Sequence, residues 1–162
     1  MKINFKKILT LGFVIFLLLQ FYQPARNLDY GRVLPIHFTK TYDVPLDVKN
    51  ILQTSCYDCH SNSTEYPWYS YIQPVRLFLD NHINEGKENL NFSEFGNYSE
   101  RKQGNKLEEI VKQIKAEEMP LASYTMIHKN AILTQENKKV LINWIEQTRD
   151  SISSQNYMTV VQ

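Results

Sequence analysis

The chain has 162 residues, a formal net charge of +1, 43% hydrophobic and 22% charged residues, and two cysteines. That length suits one domain rather than two. The charge balance gives no sign of nucleic-acid binding, and the cysteines are too few for a disulfide scaffold.

Lys2, Lys6 and Lys7 precede an apolar run from Ile8 to Tyr22, interrupted only by Thr10, Gly12 and Gln20. A basic start followed by such a run reads as a signal peptide or signal anchor over residues 1–25, with the lysines on the cytoplasmic side. The run is slightly short of the roughly 20 residues a spanning helix prefers. No small-x-small cleavage site is visible before Gln23-Pro24-Ala25-Arg26, which favours a retained anchor. Either form carries the rest of the chain out of the cytoplasm. Residues 26–43 then read as a tether, punctuated by Asn27, Asp29, Tyr30, Gly31 and Pro35, with His37 solvated in it. The folded domain is expected over residues 44–150.

A helix is expected from Pro45, capped by Asp43, with Val48, Ile51, Leu52 and Ser55-Cys56 on one face. It delivers Cys56-Tyr57-Asp58-Cys59-His60, a C-x-x-C-H pentapeptide holding both cysteines. Two thiols two residues apart can each bond one vinyl arm of a haem, and the adjacent imidazole can reach the iron. This is the c-type haem attachment pattern, predicting one covalent haem c with His60 as proximal ligand. Ser61 to Thr64 reads as a turn. The aromatic patch Tyr66-Pro67-Trp68-Tyr69 follows it directly, so Tyr66 and Trp68 are candidates for the pocket wall, the alternative being a loop that plugs the core.

Pro74 opens and Gly86 closes the next expected helix, with Val75, Phe78, Leu79, His82 and Ile83 facing inward and Arg76, Asp80 and Asn84 outward. His82 is thereby a candidate second iron ligand, the alternative being a hydrogen-bonded core histidine. A short helix capped by Ser93 and a stronger one beginning at Ser99 follow. In the latter, Leu107, Ile110, Val111 and Ile114 sit at i, i+3, i+4 and i+7. Pro120 stops that helix and holds Met119 on a loop. A methionine thioether suits haem iron, so Met119 is the favoured distal ligand, although a methionine can equally be apolar filler. Met126 and His128 are weaker candidates, and Met158 is set aside. Thr134 caps a last helix ending near Arg149, with Val140, Leu141, Trp144 and Ile145 buried, before a flexible tail over residues 151–162.

The order of a helix leading into Cys56-x-x-Cys59-His60, then Met119-Pro120, then a closing helix with Trp144 resembles class I cytochromes c. More closely, the chain resembles the haem-binding domain family of exported bacterial proteins. That resemblance rests on Cys56 to Asn62, Tyr66 to Ser70, Pro74-Val75, His82 to Lys87, Leu90 to Glu94, Met119-Pro120, Tyr124, His128, Trp144 and Gln23 to Asn27. It implies a covalent haem and a role in electron transfer, and it leaves the sixth ligand open because His82 and Met119 both lie within the pattern.

The expected fold is all-α, a small cytochrome c-like helical domain wrapped around one covalent haem and preceded by a membrane or signal helix. The expected function is electron transfer by ferric/ferrous cycling on the periplasmic side of the inner membrane, with a redox partner protein and no nucleic acid; no catalytic acid/base constellation is visible. The alternatives are an open-site haem sensor or peroxidase-like protein, a thiol–disulfide oxidoreductase using Cys56 and Cys59, and, more weakly, a zinc site crowded by the adjacency of Cys59 and His60.

Overall fold

A computed structural model describes residues 4–160, apart from the side chains of residues 153 and 155–160. Among these residues the regular structure is helical, with no strand. The helices are α1 (Phe5–Leu19), α2 (Phe38–Thr41), α3 (Leu46–Ser55), α4 (Tyr57–His60), α5 (Val75–Asn89), α6 (Glu100–Lys115), α7 (Ala122–Ile127) and α8 (Gln135–Val160). Three 3₁₀ turns, Trp68–Tyr71, Phe92–Asn97 and Lys129–Ala131, lie between them.

The core follows the apolar periodicity. Leu107, Val111 and Ile114 of α6, Leu141 and Ile145 of α8 and Val48, Ile51 and Leu52 of α3 share one buried cluster, and α8 packs on both α6 and α3. Ser99 caps α6 by accepting the Lys102 N–H at 3.4 Å, and Thr134 caps α8 by accepting the Asn137 N–H at 3.1 Å. Two other caps differ from expectation. Pro45, not Asp43, precedes α3 and gives no side-chain cap, and the Phe92–Asn97 turn is capped by Asn91, which accepts the Ser93 N–H at 3.0 Å. α8 does not end near Arg149 but continues to Val160. Ile152 extends the stripe of Leu141 and Ile145 and is itself buried, so the helix keeps a core contact beyond residue 150. The Met158 side chain lies outside the described residues.

Residues 26–43 are not a tether. Phe38, only 1% exposed, stands edge-on to Tyr42, Phe92, Phe95 and Trp144 at ring-centroid distances of 4.8–5.7 Å. Such edge-to-face clusters add to plain area burial. His37 caps α2, its Nδ1 accepting the Thr39 N–H at 3.1 Å.

The stretch just before is clamped as firmly. The Gln20 side-chain amide donates to the Gln73 carbonyl (3.2 Å) and accepts the Gln73 N–H (3.0 Å), while the Gln73 amide donates to the Tyr22 carbonyl at 2.7 Å. Arg76 donates to the Pro24 and Ala25 carbonyls and pairs with Asp80 at 2.6 Å.

These contacts reverse the expected face at the start of α5, while Ile83 is buried and Asn84 exposed as expected. Arg76 points inward and is 1% exposed, whereas Val75 and Phe78 are 42% and 62% exposed. A guanidinium is buried only where its charge and donors are satisfied, and here two of its acceptors come from about fifty positions upstream while Asp80 supplies the charge. Nor does Gly86 close the helix, which runs on to Asn89.

α1 is 15 residues long and buries none of them. At 1.5 Å per residue it measures about 22 Å. It ends where Gln20 turns its side chain to Gln73, so the apolar run is not one long helix. Among the described residues no helix is long and apolar enough to cross a membrane.

Phe38→Ala is expected to cost about 3–5 kcal/mol, the usual range for emptying a buried phenylalanine site. Urea unfolding checks it, since an unchanged midpoint would return residues 26–43 to the status of a linker.

Candidate functional site

α3 stops where Cys56 leaves helical geometry at φ −128°. The C-x-x-C-H residues then form a turn of their own, with the Cys59 and His60 N–H groups both donating to the Cys56 carbonyl at 3.2 and 3.0 Å. Spacings of three and four residues along one helical turn bring side chains to one side. Cys56, Cys59 and His60 accordingly line one cleft of about 470 Å³, within the roughly 300–1,000 Å³ usual for cofactor sites.

His60 is held by α5. Its Nδ1 lies 2.9 Å from the Gly86 carbonyl oxygen and 3.1 Å from that of Leu90. Two acceptors require a donor, so the proton sits on Nδ1 and the lone pair on Nε2. A metal-bound histidine is oriented by the same device, its second ring nitrogen donating to a carbonyl. Burial lowers the His60 pKa, outweighing the two carbonyl hydrogen bonds that raise it, so the ring is neutral and able to ligate.

Gly86 makes this approach possible. A Cβ there would meet the Cys59 carbonyl oxygen at 2.6 Å and its carbon at 3.2 Å. Both are backbone atoms that cannot swing away.

The loop after the motif is fixed by two polar clusters. The Asn27 amide donates to the Ser61 carbonyl (2.8 Å) and to Thr64 Oγ1 (2.9 Å), and its Oδ1 accepts from Lys87 Nζ (2.6 Å). Ser93 Oγ accepts the Asn62 N–H (3.0 Å), and the Asn62 amide donates to Glu94 (2.9 Å) while its carbonyl accepts from Asn91 (2.9 Å). Asp58 accepts from the Glu65 N–H at 2.9 Å and from the Tyr124 hydroxyl at 2.6 Å, tying the motif to α7.

His82 and Met119 line the same cleft as the motif, so five of the sequence-predicted residues meet in one place. Tyr66 and Trp68 do not. The Tyr66 hydroxyl accepts the Asn27 N–H at 2.9 Å and donates to Asp80 at 3.3 Å, with the Arg76 guanidinium 4.7 Å from its ring centre. Trp68 is 76% exposed. Met126 is exposed and outside the cleft; His128 stacks on Tyr124 at 4.2 Å and meets the Tyr69 hydroxyl through Nε2 at 2.6 Å. The far wall, with Lys106, Ile110, Ile114, Leu121 and Tyr124, escaped the sequence reading of the pocket. Its only signals were the α6 stripe and the place of Tyr124 in the family resemblance.

Burial is the main reason that the Cys56 thiol is pushed up to about 12 and the Cys59 thiol to about 11; the second cysteine adds to the former shift and Asp58 to the latter. Among the described residues no group of three or more His, Cys, Asp or Glu side chains gathers to hold a bare metal ion. The donor set is instead one oriented imidazole, a second imidazole, a thioether and two thiols on a mostly apolar slot, and it fits a flat iron macrocycle.

Residues 14–147 match the family model described as a haem-binding domain. No curated protein and no solved structure matches the chain.

Gly86→Ala is expected to destabilise the protein by about 1–3 kcal/mol, as overpacking does. Gly104→Ala, where an added Cβ meets nothing within 4 Å, should instead stabilise α6 by roughly 0.5–1 kcal/mol. Parallel denaturation curves of the two variants check the contrast; equal effects would remove the special role given to Gly86.

Proposed function

The chain belongs to the haem-binding domain family, and from that premise we propose that it is a c-type haem protein that carries electrons outside the cytoplasm. One observation carries the reading. His60, its Nδ1 engaged by two carbonyls, shares a cleft with both cysteines of its motif. Cys56 and Cys59 would each add a thiol S–H across one vinyl arm, forming two thioethers, and His60 Nε2 would be the proximal ligand. Bound haem supplies a one-electron iron couple. The protein's part is ligand choice, exclusion of water and a rigid seat.

Met119 would supply the second iron ligand in this reading. α5 packs on α4 and supplies the carbonyl acceptors of His60, so His82 rises from the proximal wall. Met119 follows α6, whose Ile110 and Ile114 line the cleft with it, and so comes from an element other than the one that holds His60. His82 Nδ1 is also engaged, lying 3.0 Å from the Phe78 carbonyl oxygen, which leaves its Nε2 as the competing ligand. Raised thiol pKa values speak against the thiol–disulfide alternative, because exchange needs accessible thiolates.

The basic start and the apolar, unburied α1 support an export signal or anchor. In this reading the domain lies on the periplasmic side of the inner membrane, where a redox protein would exchange electrons with it.

Visible spectra of the oxidised and reduced protein, made in an exporting host with haem maturation machinery, test this reading. Wild type should be six-coordinate and low-spin. Met119→Ala should give a five-coordinate or water-ligated spectrum, and His82→Ala should leave the spectrum unchanged. The reverse pattern would transfer the distal role to His82, a five-coordinate wild type would favour the open-site sensor or peroxidase-like alternative, and a colourless protein would end the haem reading.

A further inference from the structure

We propose that the face formed by the Trp68–Tyr71 turn and the first turns of α5 sits in the interfacial layer of a lipid bilayer, beside the end of α1. The proposal rests on the reading of α1 as a membrane anchor and adds to it a second, extended membrane contact.

The first argument is the start of α5. It buries Arg76 and exposes Val75 and Phe78, leaving an apolar surface that no other described residue covers. Trp68, Tyr71 and Ile72 are exposed beside it. From Tyr66 to Leu79 the sequence has no acidic residue, and its one charged side chain is the buried Arg76. Scattered exposed apolar residues need no explanation, but a contiguous group without charges marks a contact surface.

The second argument is continuity. The amide of Gln20, the residue that caps α1, pairs with both backbone groups of Gln73, and Gln73 lies between Ile72 and Val75. The apolar surface of α1 therefore runs directly onto this face through Phe21 and Tyr22, both exposed. Length points the same way. At about 22 Å, α1 falls roughly 8 Å short of a hydrocarbon layer of about 30 Å, and a domain foot sunk into the interface lets a helix of this length serve. Composition fits as well. Trp and Tyr favour the headgroup level, and basic side chains meet lipid phosphates there. Arg26, exposed, lies over the Tyr71 ring at 4.2 Å and donates to its hydroxyl at 2.9 Å. Because α5 continues from this face to His82 and Gly86, the cleft would be held at a fixed height above the bilayer.

The test uses the full haem-loaded chain in bilayer nanodiscs that contain a phospholipid with a photoactivatable diazirine in its acyl chain. Adducts are mapped by peptide mass spectrometry. Adducts are expected on α1 and on residues 68–78, and not on the equally exposed apolar group Met126, Ile127 and Ile132, which has no link to α1. Phe78→Asp should cut labelling of residues 68–78 severalfold while leaving α1 labelling and the visible spectrum unchanged. Labelled α1 with unlabelled residues 68–78 would overturn this proposal and leave the anchor standing, as would equal labelling of the Met126 group. Unlabelled α1 would overturn both.

Discussion

At Gly86 the backbone of α5 comes so close to Cys59 that a methyl group built there would stand 2.6 Å from its carbonyl oxygen. The rest of the site depends on that approach. It brings the Gly86 and Leu90 carbonyls onto His60 Nδ1, which fixes the tautomer and aims the remaining lone pair. It also makes α5 the wall that holds His60. Met119, delivered by the far end of α6, lines the same cleft and in the proposed reading would supply the second iron ligand.

The same helix is held on its other side by the chain that leads into the domain. Arg76 is buried among the Asp80 carboxylate, the Tyr66 ring and two carbonyls from residues 24 and 25, and Asn27 bridges the loop after the motif to Lys87. Removing one partner of a buried ion pair typically costs about 3–5 kcal/mol, so these contacts are structural and not ornamental. Their consequence is that α1 joins the domain without slack, and that the apolar residues displaced from the inner face of α5 appear on its surface.

What was legible in the sequence, and what was not, divides by the range of the interaction. The caps and stripes of α6 and α8 depend on residues three or four apart and were read correctly. The start of α5 was misread because hydrophobic periodicity gives no warning that Arg76 has acceptors fifty residues away. The linker reading of residues 26–43 missed Phe38, whose ring partners Phe92, Phe95 and Trp144 become neighbours only in the fold. Tyr66 and Trp68 follow the motif closely in sequence but lie away from its cleft, because Thr64 and Glu65 turn the chain back onto Asp58. The far wall of the cleft comes from α6 and Tyr124, remote in sequence from the cysteines.

The account stands on Cys56, Cys59 and His60 forming one seat for a covalently held haem. Mass spectrometry of the acid-unfolded protein, digested to isolate the peptide containing residues 56–60, tests this most directly. The account predicts that this peptide carries the mass of one haem after unfolding and extraction. A peptide with two free thiols or an internal disulfide, with any haem lost to the extract, would contradict it.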